Sequence, residues 1–281
     1  MENLPDNDTA SDTPTPSPHA PHVAPLSDDP TSCAMAFRNL YKAFRGKPAV
    51  NQLNLDIPRG SFYGLVGPNG AGKTTAITMS TGLLRPDQGS VWVNGINVWD
   101  KPAAAKATFG LLADGLPTFD RLSGKELLQF SGALRGMDEG IVEKRANELL
   151  DVLDLKESAN KIVADYSAGM TKKILLAQAL IHRPELLILD EPLEAVDPVS
   201  AQIIRSILTT YVKAGGTVIM SSHVMEVVEG LCDHVAIMQN GRVLASGTTD
   251  EVRNGSSLTD TFLKLVGGGR LAEGSLGWLA S

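Results

Sequence analysis

The spacing of apolar residues changes character along the chain. AMAFRNLYKAF (34–44) and AVNQLNLDI (49–57) alternate apolar with polar positions, which predicts an antiparallel strand pair with one wet face. SFYGLVG (61–67) is a continuous apolar run leading into glycine-rich sequence, the pattern of a buried strand. SVWVNGINV (90–98) holds a strand and an Asn-Gly turn, and ATFGLLAD (107–114) is a further short strand. The period then lengthens. GKELLQFSGALRGM (124–137) and GIVEKRANELLDVLDL (140–155) carry the i, i+3, i+4 spacing of amphipathic helices, and TKKILLAQALIHR (171–183) is a third helix stopped by Pro184. ELLILD (185–190) reads as a parallel strand covered on both faces. Helix (198–215), strand (217–223), helix (225–232) and a hairpin turning at Asn240-Gly241 complete the pattern. Strands alternating with helices predict an α/β layered fold, and the helical block at about 115–181 predicts an inserted helical lobe.

Composition changes this picture mainly at the N-terminus. The 281 residues suffice for one sizeable core with a lobe attached, and 43% hydrophobic with 20% charged residues are globular values. Residues 1–34 hold seven of the sixteen prolines, six acidic residues and no Lys or Arg. They read as a disordered Pro/Asp-rich leader, with Met35 as an alternative start. Because the whole chain carries −7, the body after residue 34 is nearly neutral, which argues against a nucleic-acid surface. Cys33 and Cys232 match no metal spacing and read as reduced thiols. Neither a secretory signal nor an uninterrupted apolar run of ~18 residues is present, so any membrane passage is expected to come from a partner.

GPNGAGKTT fits the pattern G-x-x-x-x-G-K-[ST] and follows a predicted strand. In that context Gly67, Pro68, Asn69, Gly70, Ala71 and Gly72 form a loop whose N–H groups cradle phosphates at a helix start. Lys73 reaches the β- and γ-phosphates, the Thr74 hydroxyl ligates Mg²⁺, and Thr75, next along the helix start, is a further nucleotide-binding position. At the end of ELLILD, Asp190 supports the metal from the second side, and Glu191 is placed to polarise an attacking water. A second helix start, Ser167-Ala168-Gly169-Met170, again offers free N–H groups and a positive dipole end. Two such starts in different lobes cannot easily serve one triphosphate within one chain. Two chains arranged head-to-tail can, each nucleotide being closed by the P-loop of one and the Ser-x-Gly helix of the other.

With the P-loop, YSAGM (166–170), LLILDEP, VDP (196–198) and SSH (221–223) in this order and spacing, the chain resembles the ATP-binding cassette (ABC) ATPases over about residues 35–253. The resemblance implies a P-loop NTPase-type core with an antiparallel β subdomain and an inserted helical subdomain, followed by a C-terminal extension at 254–281. It also implies ATP and Mg²⁺ as ligands, a head-to-tail homodimer, a separate transmembrane permease and a place at the cytoplasmic face of the membrane. Phe44 in KAFRG sits where the family stacks an aromatic on adenine, with Tyr41 as a nearby competitor for that role. Asp197 matches the loop that communicates between subunits, and His223 the histidine that contacts the γ-phosphate and the catalytic Glu. His182 and His234 lack such context and read as structural.

Departures are informative. Tyr166 and Met170 replace the more frequent Leu and Gln of the signature, a form similar to the drug- and antibiotic-exporter branch. Leu193 and Ala195 replace Thr and Gly after the acids. Asp114 stands where Gln is usual; as a metal ligand it would bring added charge, and in ADGLP it equally suits a turn cap. Leu258, Phe262 and Leu265 share one helical face that is expected to pack back on the core, while Trp278 has no evident place. An exporter ATPase is therefore expected. A soluble ABC protein of translation or DNA repair would carry two cassettes or long heptads, and an ATP-gated module with little turnover fits poorly with filled Glu191 and His223 positions.

Overall fold

The computed structural model describes residues 21–113, 115 and 118–267. In chain order, β1 (Met35–Phe44), β2 (Lys47–Ile57) and β3 (Phe62–Val66) precede α1 (Lys73–Ser80), β4 (Gln88–Val93), β5 (Ile96–Asn97), α2 (Pro102–Ala107) and β6 (Phe109–Leu112). Three helices follow: α3 (Gly124–Leu134), α4 (Glu139–Val152) and α5 (Ala168–Leu180). The remainder runs β7 (Leu186–Asp190), α6 (Pro198–Lys213), β8 (Thr217–Ser222), α7 (Met225–Leu231), β9 (His234–Gln239), β10 (Arg242–Thr248), α8 (Thr249–Arg253) and α9 (Leu258–Val266).

Two sheets result. One is antiparallel in the order β2-β1-β4-β5, and the other has the order β10-β9-β3-β8-β7-β6, parallel except for β10. Strands β3, β7 and β8 are buried at every position, as their unbroken apolar runs demand. Their side chains alternate between two cores. Phe62, Val66, Leu187, Leu189, Val218 and Met220 face the helices, while Tyr63, Leu65, Leu186, Ile188 and Ile219 join the side of α1 and the antiparallel sheet. The helical lobe is not a separate body. Leu127 and Leu128 of α3 and Ala146 and Leu150 of α4 belong to the same core as the sheet's helix-facing residues.

Strand order then gathers the chemistry. β3, β8 and β7 are neighbours, with Leu65 opposite Ser221 and Asp190 opposite Ser221. The sequence following each of these strands therefore emerges at the same edge, the carboxyl end where ligand crevices of α/β sheets lie. The antiparallel sheet is clipped to this edge by backbone. Asn51 N–H donates to Gly241 O and Gly241 N–H to Ala71 O, each at 2.9 Å. Both Asn-Gly pairs, 94–95 and 240–241, have positive φ at both residues, as two-residue hairpin turns require.

The leader differs from its expected boundary at residue 34. Ala24 N–H donates to Ser246 O at 2.8 Å, Ser246 N–H donates to His22 O at 2.9 Å, and Ser27 N–H donates to Asp56 Oδ2 at 2.6 Å. A short 3₁₀ turn at Pro30–Ser32, capped by Asp29, leads into buried Cys33 and Ala34. The unpaired edge of β10 supplies the partner that composition could not announce. At the other end Leu258 is buried and Phe262 and Leu265 pack on the core; Trp278 lies outside the described residues. Among the described residues, no helix is long and apolar enough to cross a membrane.

Candidate functional site

The loop after β3 is shaped by glycine. Gly70 and Gly72 have φ of +82° and +102°, a region L side chains rarely adopt, so successive N–H groups turn inward. The outer side of the loop is tightly packed: a Cβ at Gly67 would lie 2.4 Å from Met238 O, and one at Gly72 would lie 2.4 Å from Ala49 O. Gly72 caps α1 without any side-chain hydrogen bond, leaving the first N–H groups of the helix available to an anion. Lys73 is buried beneath them, donating to Gly67 O at 2.7 Å and Pro68 O at 3.4 Å. Burial lowers its pKa, while Glu191 and Asp190 pull it back up.

The acids follow β7. Asp190 is only 2% exposed and accepts a short hydrogen bond from Ser221 Oγ of β8. The same Ser221 hydroxyl accepts from Glu191 N–H at 3.0 Å, so one side chain fixes both acids. Glu191 adopts a left-handed φ of +47°, which turns it out of the strand direction at a local cost of about 1–3 kcal/mol. Lys172 Nζ donates to the Glu191 carbonyl at 3.1 Å. His223, one residue beyond β8, brings Nδ1 within 3.1 Å of Glu191 Oε1.

Glu191 and His223 share with the P-loop one cleft of about 430 Å³, lined by Phe44, Ala49, the run 69–75, Glu191, Glu194 and His223; buried Asp190 and Ser221 are not among its lining residues. Phe44 is 49% exposed at its mouth, so it is not a core residue of its strand. Thr74 is exposed, and with Asp190 it offers oxygen donors alone, the set that a hard divalent cation takes. The residues present therefore fit Mg²⁺. Asp114 lies outside the described residues.

Ser167, Gly169 and Asp197 form a second group, and none of them lines the cleft. Ser167 is itself the cap of α5, accepting from Met170 N–H at 3.3 Å, and α5 begins at Ala168 rather than at Thr171. A Cβ on Gly169 would lie 4.0 Å from Asp197 Oδ2 and 3.9 Å from Ala195 O, so the two motifs adjoin. Asp197 caps α6 by accepting from Val199 and Ser200 N–H at 3.0 Å each; the Ser200 bonds, first among these, lower its pKa. Tyr166 is buried, its hydroxyl donating to Ser158 O at 2.7 Å.

His182 and His234 sit apart from the cleft. His234 stacks on Tyr63 at 6.0 Å and pairs with Asp233 at 2.6 Å. His182 meets Phe109 O at 3.2 Å, and burial, assisted by Arg135, holds its pKa down at about 4. Sequence reasoning missed Ala49, Glu194, Lys172 and the role of Ser221. Only Ser221 carried a signal, its place in SSH.

Comparison with known proteins agrees with this geometry. The family model described as "ABC transporter" matches residues 50–194. The linearmycin resistance ATP-binding protein LnrL of Bacillus subtilis is 37% identical over 214 residues, covering 76% of this chain and 69% of that protein. The daunorubicin/doxorubicin resistance ATP-binding protein DrrA of Streptomyces peucetius is 35% identical over 240 residues, covering 85% of this chain and 72% of that protein. Among solved structures, an ATP-binding subunit of an ABC transporter superposes with a TM-score of 0.78 at 27% identity, covering 83% of this chain and 99% of that one. A dimeric, post-hydrolysis ATP-binding cassette bound to ADP and Pi gives 0.71 at 22% identity, covering 76% and 98%. A phosphate cradle, paired acids and a signature helix in this order, matched over most of the chain, leave one assignment: the chain belongs to the ABC transporter family, as one of its ATP-hydrolysing subunits.

Proposed function

We propose that the chain powers export of drug-like or antibiotic compounds through a separate membrane permease, bound peripherally at the cytoplasmic face. The observation that carries the catalytic part is the Glu191–His223 pair at 3.1 Å beside the P-loop, with both positions filled by groups able to handle a proton. The exporter direction draws on the similarity to resistance ATP-binding proteins such as LnrL and DrrA and on the Tyr166–Met170 form of the signature.

In this reading the N–H groups of Gly70–Thr75 bind the triphosphate, and Lys73 exchanges its carbonyl partners for phosphate oxygens. Phe44 stacks on the base. Thr74 and Asp190 would hold Mg²⁺, which neutralises phosphate charge when bound. Glu191 accepts the proton of the attacking water, and His223 holds the Glu191 carboxylate in place. Ser167, Gly169 and Asp197 act on the nucleotide of a second copy, since they stand apart from their own cleft. Two ATP molecules thus sit between two head-to-tail chains, and closure is passed to the permease.

The test is Glu191→Gln. It keeps the volume of the side chain but removes the base, so turnover should fall by about 10²–10⁴-fold with ATP binding retained. An ATP-dependent dimer should then persist on size-exclusion chromatography. Near-normal turnover in this variant would remove Glu191 from the role assigned to it.

A further inference from the structure

Phe44 closes a strand whose pairing is irregular, yet its ring stands half-exposed at the cleft mouth. Against β2, the register of β1 shifts between Leu40 and Lys42 and again between Lys42 and Ala43. At both shifts the extra residue lies in β2, so β2 bends around an end of β1 that stays paired as far as Phe44. On the other side of β1, pairing with β4 ends at Tyr41–Gln88, and the groups beyond it are claimed by the residue just before β4. Ala43 N–H donates to Asp87 Oδ2 at 2.9 Å. The other carboxylate oxygen, Oδ1, accepts from Lys42 Nζ at 2.7 Å, and Asp87 N–H donates to Tyr41 O at 2.9 Å. Asp87 therefore grips three consecutive residues, Tyr41, Lys42 and Ala43, immediately before Phe44.

The grip extends to the ring. The Lys42 side chain is 16% exposed, and its ammonium lies over the Phe44 ring, 5.9 Å from the centroid. A cation at that distance attracts the π face, and a counter-charge that fixes the cation fixes the ring with it. We propose that Asp87 is a positioning residue for base recognition: it holds Lys42 and the end of β1 so that one face of Phe44 is backed by a cation and the other is open to a purine base. An already ordered ring loses less side-chain freedom on stacking, which favours binding. The inference rests on the reading of Phe44 as the base-stacking aromatic.

Affinities of the full chain, measured by calorimetry with magnesium present, separate base recognition from phosphate recognition. The probes are the non-hydrolysable nucleotide AMP-PNP, which has a base, and inorganic tripolyphosphate, which has none. Phe44→Ala should weaken AMP-PNP by about 5- to 150-fold, the range base–aromatic stacking supplies, and leave tripolyphosphate unchanged. Asp87→Ala should weaken AMP-PNP by about three- to tenfold, with tripolyphosphate again unchanged. Equal losses for both probes, or none for either, in Asp87→Ala would overturn the proposal. Should that variant not fold, Asp87→Asn keeps an acceptor for Ala43 N–H and gives up the charge facing Lys42. It should show the same one-sided loss at about two- to fivefold, and its absence overturns the proposal equally. If Phe44→Ala binds AMP-PNP normally, the stacking reading falls and the role of Asp87 falls with it. If Phe44→Ala weakens AMP-PNP while the Asp87 variants do not, the inference about Asp87 falls alone.

Discussion

Gly72→Ala tests whether the phosphate cradle is fixed by its outer packing as well as by its backbone angles. Two costs can be separated. Gly72 has φ +102° and ψ 5°, and forcing an L residue into the left-handed region costs about 1–2 kcal/mol. The added Cβ would also lie 2.4 Å from Ala49 O, with Gly241 Cα at 3.3 Å, so both the β2 backbone and the 240–241 turn oppose it. Neither neighbour is a flexible side chain, and overpacking against a fixed neighbour costs about 1–3 kcal/mol more. A total of about 2–5 kcal/mol is a large share of a typical stability and should lower Tm by roughly 5–15 °C. Gly136→Ala is the control. Its φ is +66°, but nothing lies within 4 Å of the new Cβ, so only the conformational cost of about 1–2 kcal/mol remains, partly offset by the stiffer unfolded chain. Differential scanning fluorimetry and an ATP-binding isotherm should show Gly72→Ala strongly destabilised and impaired in ATP binding, with Gly136→Ala mild and normal in ATP binding. If the two variants melt alike and bind ATP alike, the Ala49 contact relaxes freely and the outer wall does not hold the loop.

Two further outcomes follow from the site. Mixing a Lys73→Ala chain with a Ser167→Arg chain should restore ATPase activity above either alone, because each mixed dimer regains one intact composite site; a Ser167→Arg chain that hydrolyses ATP normally by itself would exclude action in trans. His182 should make stability acid-sensitive: the unfolded residue binds a proton near its ordinary 6.5, the folded one only at about 4, so acid favours the unfolded state and stability falls as pH drops through that interval. His182→Gln should flatten the Tm–pH curve between those values, and an unchanged curve would show that another group sets it.

What could be read from the sequence was whatever is written locally. GPNGAGKTT, LLILDE and SSH each end a strand, and their pattern sufficed to place loop, acids and histidine at one edge, because parallel strands deliver their carboxyl ends together. The Asn-Gly turns were legible for the same reason, and the amphipathic helices by their period, whereas the side-chain caps of the helices, Ser167 and Asp197 among them, were not read. Contacts between distant backbones were not. Nothing in the Ala49 or Gly241 neighbourhoods announces that they form the outer wall of the P-loop, and the pairing of Val23 with Ser246 depends on an edge strand more than two hundred positions away. The Asp87 grip is equally hidden, since its partners are a lysine and two backbone groups more than forty positions away. Composition described residues 21–34 as if they had only themselves to contact.

The relation between the cleft and the second group of motifs turns on a short stretch of chain. Glu191 and Glu194 line the cleft, while Asp197, three residues on, adjoins Gly169 at the signature helix. The segment is confined along its length. Glu191 and Ala195 both hold left-handed φ, of +47° and +58°, Glu194 N–H donates to Glu191 O, and Asp197 is committed to capping α6. A segment with so few free torsions moves as a piece. On the proposal that Gly169 and Asp197 meet the nucleotide of a second copy, displacement of Asp197 by that copy is felt at Glu191, whose carbonyl is also held by Lys172 of the signature helix. Lys172 thus ties the helix that would sense the partner's phosphate to the residue that would activate the water attacking this chain's own nucleotide. In that arrangement the two sites of a dimer are mechanically linked through their own chains, so that occupancy of one modulates the rate of hydrolysis at the other without being required for it. The second phosphate-binding helix start is then the means by which each chain reads its partner's nucleotide.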